Sequence, residues 1–278
     1  MRRSIIRRGA DTSEPETKSK LKSKTMAEPA PSGGAAGAAA AAVARLTYFQ
    51  GRGRAETTRW MLAAAEIPFE CVALQNGDEL QALRSTGKLL FNQLPLLEIG
   101  GASLTQSIAL VQHVARVGGL YGDTPADAAM CDMVHGVSKD LAGPPMGRCF
   151  QEDQAAALEK MASTLNKFAP FLERIVDGQS GFIVGTKLSM ADVLVAEALT
   201  SYVECLGGCL DPFPKLKALR ERVVALPQMQ KYLESSDRYG KPDNAYVIAV
   251  AAVLERALPP HFPDPTRFVK TEAAEGKQ

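Results

Sequence analysis

LTYFQGRGRAE, residues 46–56, ends a short apolar run on a tyrosine and then supplies two glycines, two arginines and the start of a helix-forming segment. Arg45–Phe49 reads as a strand, because three of its five residues are β-branched or aromatic. Residues 53–66 read as a helix with Trp60, Met61, Ala64 and Ala65 on one face, stopped by Pro68. Phe69–Leu74 reads as a second strand. A loop and short helix around 78–86 follow, then short strands near 96–99 and 102–105 with Gly100 and Gly101 between them as a tight hairpin turn. A helix is expected over 107–117. A helical crossover forces the first two strands parallel, and a two-residue turn forces the last two antiparallel. The order βαβ-ββα therefore predicts a mixed sheet.

That order is the thioredoxin-like arrangement, and we assign it to an N-terminal α/β domain over 45–118. GGLYGDTP (118–125) is a linker by composition. Beyond it the pattern is helical at roughly 125–142, 152–177, 189–206, 213–224 and 228–236, so an all-α domain is expected over 125–238. Within it, GPPMGR (143–148) should kink or end the first long helix, because proline lacks the N–H that the helix needs. Residues 239–278 form a C-terminal extension. Asp243–Leu258 reads as an alanine-rich helix packed on the surface, in preference to covering a site, and the Pro-rich remainder reads as extended. Residues 1–44 are a low-complexity head whose composition predicts disorder.

The chain has 278 residues, 46% hydrophobic and 23% charged, ordinary for a globular protein. Its net charge of +1 hides a split, with residues 1–24 at +5 and the rest at −4. The basic character belongs to the head, so the body gives no sign of a nucleic-acid or membrane partner. The Arg-rich opening fits an organelle-targeting peptide or an untargeted tail. Glu14 and Glu16 favour the tail, and Met26 offers an alternative start. The five cysteines form no CxxC pair, and the three histidines stand apart from them. These patterns predict a reducing compartment, no disulfide framework and no metal.

Several residues stand out locally. Alone, Tyr48 reads as a half-buried strand residue and Pro95 as an ordinary proline at a strand start. Ser107 precedes an apolar-periodic helix and is a natural N-cap, at a helix N-terminus that also attracts anions. Ser189 and Asp192, in SMAD, form an S-x-x-D capping box that opens a buried helix, a structural role.

In combination, YFxGRGRAE, LPLLEI (94–99), TQSIAL (105–110) and the SMAD box after GFIVG (181–185) resemble the cytosolic glutathione transferases. The likeness is sigma-class with some alpha-class features, over about Arg45 to Arg238. It implies glutathione as co-substrate, with Tyr48 donating a hydrogen bond to its sulfur and Arg54 adding positive charge. A free thiol has a pKa of roughly 8.5, so little is ionised at neutral pH. Lowering it by about 2 units takes about 2.7 kcal/mol, and one charge-assisted hydrogen bond supplies about 1.5–3 kcal/mol. The resemblance further implies a cis Pro95 that frees the Leu94 backbone to pair with the peptide, with Gln93 beside it. Gln106 and Ser107 would hold the γ-glutamyl carboxylate. Asp132 would reach across a homodimer to the glutamyl amine. Arg84 would bind the glycyl carboxylate, while Leu80 replaces a tryptophan of the family pattern. Met146 and Phe150 would line a pocket for a hydrophobic electrophile.

Conjugation is the expected activity. Glutathione-dependent isomerisation of the prostaglandin type and peroxide reduction share the same thiolate. A non-catalytic, crystallin-like role on the same fold is the competing class. Retention of Tyr48, Arg54, Gln106 and Ser107 favours catalysis. A cytoplasmic location is expected.

Overall fold

A computed structural model describes residues 43–262. The early readings of residues 1–42 and of the end beyond 262 lie outside the described residues. The first layer is a four-stranded sheet of β1 (Ala44–Phe49), β2 (Phe69–Leu74), β3 (Leu96–Ile99) and β4 (Ala102–Thr105), in the order β2-β1-β3-β4. β1 pairs parallel with β2 and antiparallel with β3, and β3 pairs antiparallel with β4. The mixed sheet follows from the connections. α1 (Glu56–Ala64) carries the crossover, and Gly100 and Gly101, both at positive φ, make the hairpin. α2 (Gly77–Ser85) and α3 (Ser107–Val117) complete this layer.

The second layer comprises α4 (Pro125–Gly147), α5 (Gln154–Ile175), α6 (Met190–Val203), α7 (Pro214–Val224) and α8 (Pro227–Leu233), followed by α9 (Asn244–Leu254). α6 is apolar on nearly every face and sits at the centre, against α4, α7 and α1. Its start is fixed by Asp192, fully buried, which accepts from the Ser189 N–H (2.8 Å), the Ser189 hydroxyl (2.6 Å) and the Ile183 N–H (2.7 Å). The expected capping box is thus present. Burial still holds the Asp192 carboxyl above its ordinary pKa, against these hydrogen bonds. α1 joins the layers. Its Trp60, Met61 and Leu62 are fully buried, and it packs on α3, α6 and α8.

Three local expectations need correction. Residues 53–55 form a 3-10 turn, and the α-helix starts only at Glu56. α4 does not end at Gly143. It runs through Pro144 and Pro145 to Gly147, and a 3-10 turn follows at Arg148–Phe150. Pro145 cannot donate to the Leu141 carbonyl four residues back. The Tyr202 hydroxyl of α6 donates to that carbonyl instead, at 3.0 Å, so the helix survives the loss. α9, expected as a surface helix, buries Tyr246, Val247 and Val253 against β1, α2 and the 148–150 turn.

Removing the Tyr202 hydroxyl leaves the Leu141 carbonyl without its donor. Tyr202→Phe should therefore destabilise the fold by about 1–3 kcal/mol, read as a lower urea midpoint at unchanged m-value.

Candidate active site

Tyr48 is the penultimate residue of β1 and is buried, its ring tilted against Phe49 at 4.7 Å between centroids. The chain then turns through Gly51 and Gly53, both at positive φ, which brings the Arg54 backbone N–H to within 3.0 Å of the Tyr48 hydroxyl. The backbone thus donates to the phenol oxygen, which leaves the phenol proton free to donate elsewhere. The Arg54 side chain is exposed at the rim of a cavity of about 270 Å³ between the two layers. Ser107, Lys139, Met146 and Glu197 also line that cavity.

A buried ionic cluster fixes the 50–55 turn. Glu56, 2% exposed, accepts from Trp60 Nε1 (3.0 Å), the Tyr232 hydroxyl (2.9 Å), Arg59 Nη1 (3.1 Å) and Arg238 Nη1 (2.9 Å). Arg59 also donates to the Gly51 carbonyl at 3.1 Å and to the Arg52 carbonyl at 3.3 Å, so it grips the turn itself. Arg52 pairs with Glu204, the C-cap of α6, through both guanidinium arms, Nη2 at 3.1 Å, and its Nε donates to the Tyr239 carbonyl at 2.7 Å. Burial is the largest influence on Arg59 and acts to lower its pKa, but Glu56, Cys71 and Tyr232 together outweigh it and raise the guanidinium above its ordinary value.

The same end of the sheet supplies a second group, since Leu96 of β3 pairs with Thr47 of β1 and with Thr105 of β4. The Leu94–Pro95 peptide is cis. Gln106 Nε2 donates to Gln93 Oε1 at 2.9 Å, which ties the turn before β3 to the start of α3. Gln106, not Ser107, is the N-cap of α3. It stands at φ +72° and makes no side-chain cap, so Ser107 is the first helical residue. A non-glycine at that φ costs on the order of 1–3 kcal/mol, a strain found mainly at ligand clamps. The uncapped N–H groups of α3 remain available to an anion.

The remaining candidates divide. Phe150 packs edge-on against Tyr246 of α9, at 5.9 Å and 78°, and so faces the same side as Tyr48. Arg84 is exposed on α2 and makes no side-chain hydrogen bond among the described residues, while Leu80 is a core residue at 3% exposure. Asp132 is not gathered into the site. Its Oδ1 accepts from Gln112 of α3 (2.7 Å) and the Tyr121 hydroxyl (2.5 Å), which pins the linker to α4. Burial and the Asp132 carboxylate push the Tyr121 phenol up to about 12. Among the described residues, no group of three His, Cys, Asp or Glu is disposed to hold a metal. No described helix is long and apolar enough to cross a membrane.

Family models for the glutathione S-transferase N-terminal domain and C-terminal domain match residues 44–116 and 139–236. The chain belongs to the glutathione S-transferase family. It is 36% identical to glutathione S-transferase alpha-4 of Rattus norvegicus, over 76% of this chain and 97% of the relative. It is 34% identical to glutathione S-transferase A3 of Homo sapiens, with the same coverage. Among solved structures, a monomeric glutathione S-transferase of the hookworm Necator americanus aligns with a TM-score of 0.62 at 30% identity, over 70% of this chain and 97% of the other. The enzyme of Ascaris lumbricoides aligns at 0.61 and 30%, over 71% and 98%.

Two parts of this transferase's site escaped sequence reading. Tyr246 lies far along the chain in what read as a surface helix. The glycines at 51 and 53 were the available signal that something approaches the turn closely. Glu197, 7% exposed on α6, carries the other. Burial, then the Glu56 charge, raise its carboxyl to about 8 against the pull of Arg238 and Arg52. A carboxyl raised in the folded state binds a proton that the unfolded chain has lost. Its contribution is full below about pH 4.5 and fades as pH climbs to about 8. Glu197→Gln should remove that loss, gaining on wild type by a few kcal/mol, in order of magnitude, between pH 4 and pH 8. Denaturant midpoints across that range read the difference, and parallel pH profiles for the two proteins would count against it.

Proposed function

We propose that this glutathione S-transferase conjugates glutathione to hydrophobic electrophiles through a thiolate held by Tyr48. The observation that carries the reading is the Arg54 N–H donated to the Tyr48 oxygen at 3.0 Å, which orients the phenol and leaves its proton for a sulfur. The exposed Arg54 guanidinium adds positive charge near that sulfur. Gln106 with Ser107 takes the γ-glutamyl carboxylate at the uncapped start of α3, Gln93 and the Leu94 backbone pair with the peptide, and Arg84 takes the glycyl carboxylate. Met146 and Phe150 line the electrophile side. Conjugation stands ahead of isomerisation, peroxide reduction and a structural role, because every curated relative cited carries the transferase name.

On class, the N-terminal motif supports the sigma-like reading. The alpha names of the curated relatives and the seat of α9 over Tyr48 support an alpha-like arrangement, which we favour. A cytoplasmic location and a homodimer belong to this proposal. Asp132 meets Gln112 and Tyr121 of its own chain, so its reach into a neighbouring site requires those bonds to be exchanged in the dimer.

Tyr48→Phe should lower kcat by roughly 10- to 100-fold, the equivalent of one charge-assisted hydrogen bond, with glutathione affinity changed far less. Unchanged turnover would remove Tyr48 from the reaction. Sedimentation equilibrium run beside activity assays tests the assembly. A dimer that loses glutathione affinity on Asp132→Ala is expected, and a fully active monomer would exclude a shared site.

A further inference from the structure

Beyond the last turn of α6 the chain reads ECLGGC, residues 204–209, and the thiols of Cys205 and Cys209 are free and partly exposed. The other three cysteines are placed differently. Cys131 and Cys149 are buried, and Cys71 on β2 accepts from Arg59 Nε at 3.3 Å. After α6, two hydrogen-bonded turns follow each other. The Leu206 N–H donates to the Tyr202 carbonyl at 2.7 Å, and the Cys209 N–H donates to the Leu206 carbonyl at 3.2 Å. A four-residue turn keeps its end Cα atoms within about 7 Å, and Cys205 stands one residue outside the turn that ends at Cys209. A disulfide needs Cα atoms about 4.4–6.8 Å apart. The residues that must give to close the pair are both glycines. Gly208 already stands at φ +72°, and a side chain on Gly207 would meet nothing within 4 Å, so no packed group resists a tighter loop.

Glu204 connects this loop to the interlayer cavity. It is the C-cap of α6, and it accepts from Arg52 Nη2 at 3.1 Å and from Arg238 Nη2 at 3.2 Å. Arg52 belongs to the turn that follows Tyr48 and lines the cavity. Its partner is the chain neighbour of Cys205, so a pull on the Cys205 backbone is a pull on Glu204.

We propose that Cys205 and Cys209 form a dithiol–disulfide site oxidised reversibly by glutathione disulfide, and that closing the disulfide weakens the tie between Glu204 and Arg52. One cysteine thiolate attacks a sulfur of glutathione disulfide, which forms a mixed disulfide and releases one glutathione thiolate. The other cysteine thiolate attacks the protein sulfur of that mixed disulfide, forms the internal bond and expels the second glutathione thiolate. The protein gives up two electrons and two protons, and the two departing glutathiones carry them. Excess glutathione runs both steps backwards. A partly exposed disulfide in a short loop is of the labile, regulatory kind. The site does not depend on the reading of Tyr48.

The test has two arms. In the first, wild type, Cys205→Ser and Cys209→Ser are equilibrated with glutathione disulfide, alkylated and digested with trypsin without reduction. The wild-type peptide spanning Leu188–Lys215 should lose two hydrogens and take no alkyl group, and each variant should carry one glutathione instead. A wild-type peptide with free thiols, or with glutathione on either cysteine and no internal bond, overturns the inference. In the second arm, S-methylglutathione, which cannot reduce a disulfide, is titrated into the oxidised and the reduced protein by calorimetry. The oxidised form should bind about 2- to 5-fold more weakly, the worth of one partly exposed ion pair, and a dithiol reductant should restore it. Cys209→Ser should show no such difference. Equal binding by the two wild-type forms overturns the coupling to Arg52. Failure of the reduced protein to bind S-methylglutathione at all would count against the glutathione site itself, a result the first arm keeps separate.

Discussion

The Glu56 carboxylate holds the site and the two layers together. It sits at the start of α1 with four donors around it, from Arg59 and Trp60 of its own helix, from Tyr232 of α8 and from Arg238 just beyond. A carboxylate this deep is tolerated only when its lone pairs are fully met, and breaking such a pair costs about 3–5 kcal/mol. Its partners are therefore obliged to stay. Arg59, held there, also grips the Gly51 and Arg52 carbonyls, and Arg52 in turn binds Glu204 at the C-terminal end of α6. The turn that shapes the Tyr48 environment is pinned by charges from both layers.

A phenol and a backbone amide then acquire a fixed relation. The distance from Arg54 N–H to the Tyr48 oxygen depends on a 3-10 turn that begins at a glycine in the left-handed region. At the same end of the sheet, Gln106 carries backbone strain that nothing in the local sequence relieves, and its side chain is spent on Gln93. Both features make sense for a site prepared in advance, where ordering costs are met during folding and not on binding.

Much of this was legible in the chain. β-branched and aromatic residues bounded by glycine and proline marked the strands, and the two connection types dictated the mixed sheet. The SMAD box marked the start of α6 because a capping box is a local motif. The failures share a cause. α4 continues through Pro144 and Pro145 because a hydroxyl 61 residues away takes the orphaned Leu141 carbonyl. Ser107 looks like a cap because serine usually caps, but the backbone at Gln106 takes that position. Each miss involves a partner outside the window that local reasoning inspects.

The sequence by itself determined the order of elements, the sense of strand pairing and the presence of Tyr48 at the strand-to-helix junction. Periodicity, turn chemistry and connection length act over a few residues and need no knowledge of the rest. Only the tertiary structure decided which groups meet Tyr48. It brought Glu197 and Arg238 to the foot of α1, and it laid Tyr246, nearly two hundred residues further on, across two glycines whose missing side chains make room for it. Hydrogen bonds and desolvation act through space, so their partners become known only when the layers close.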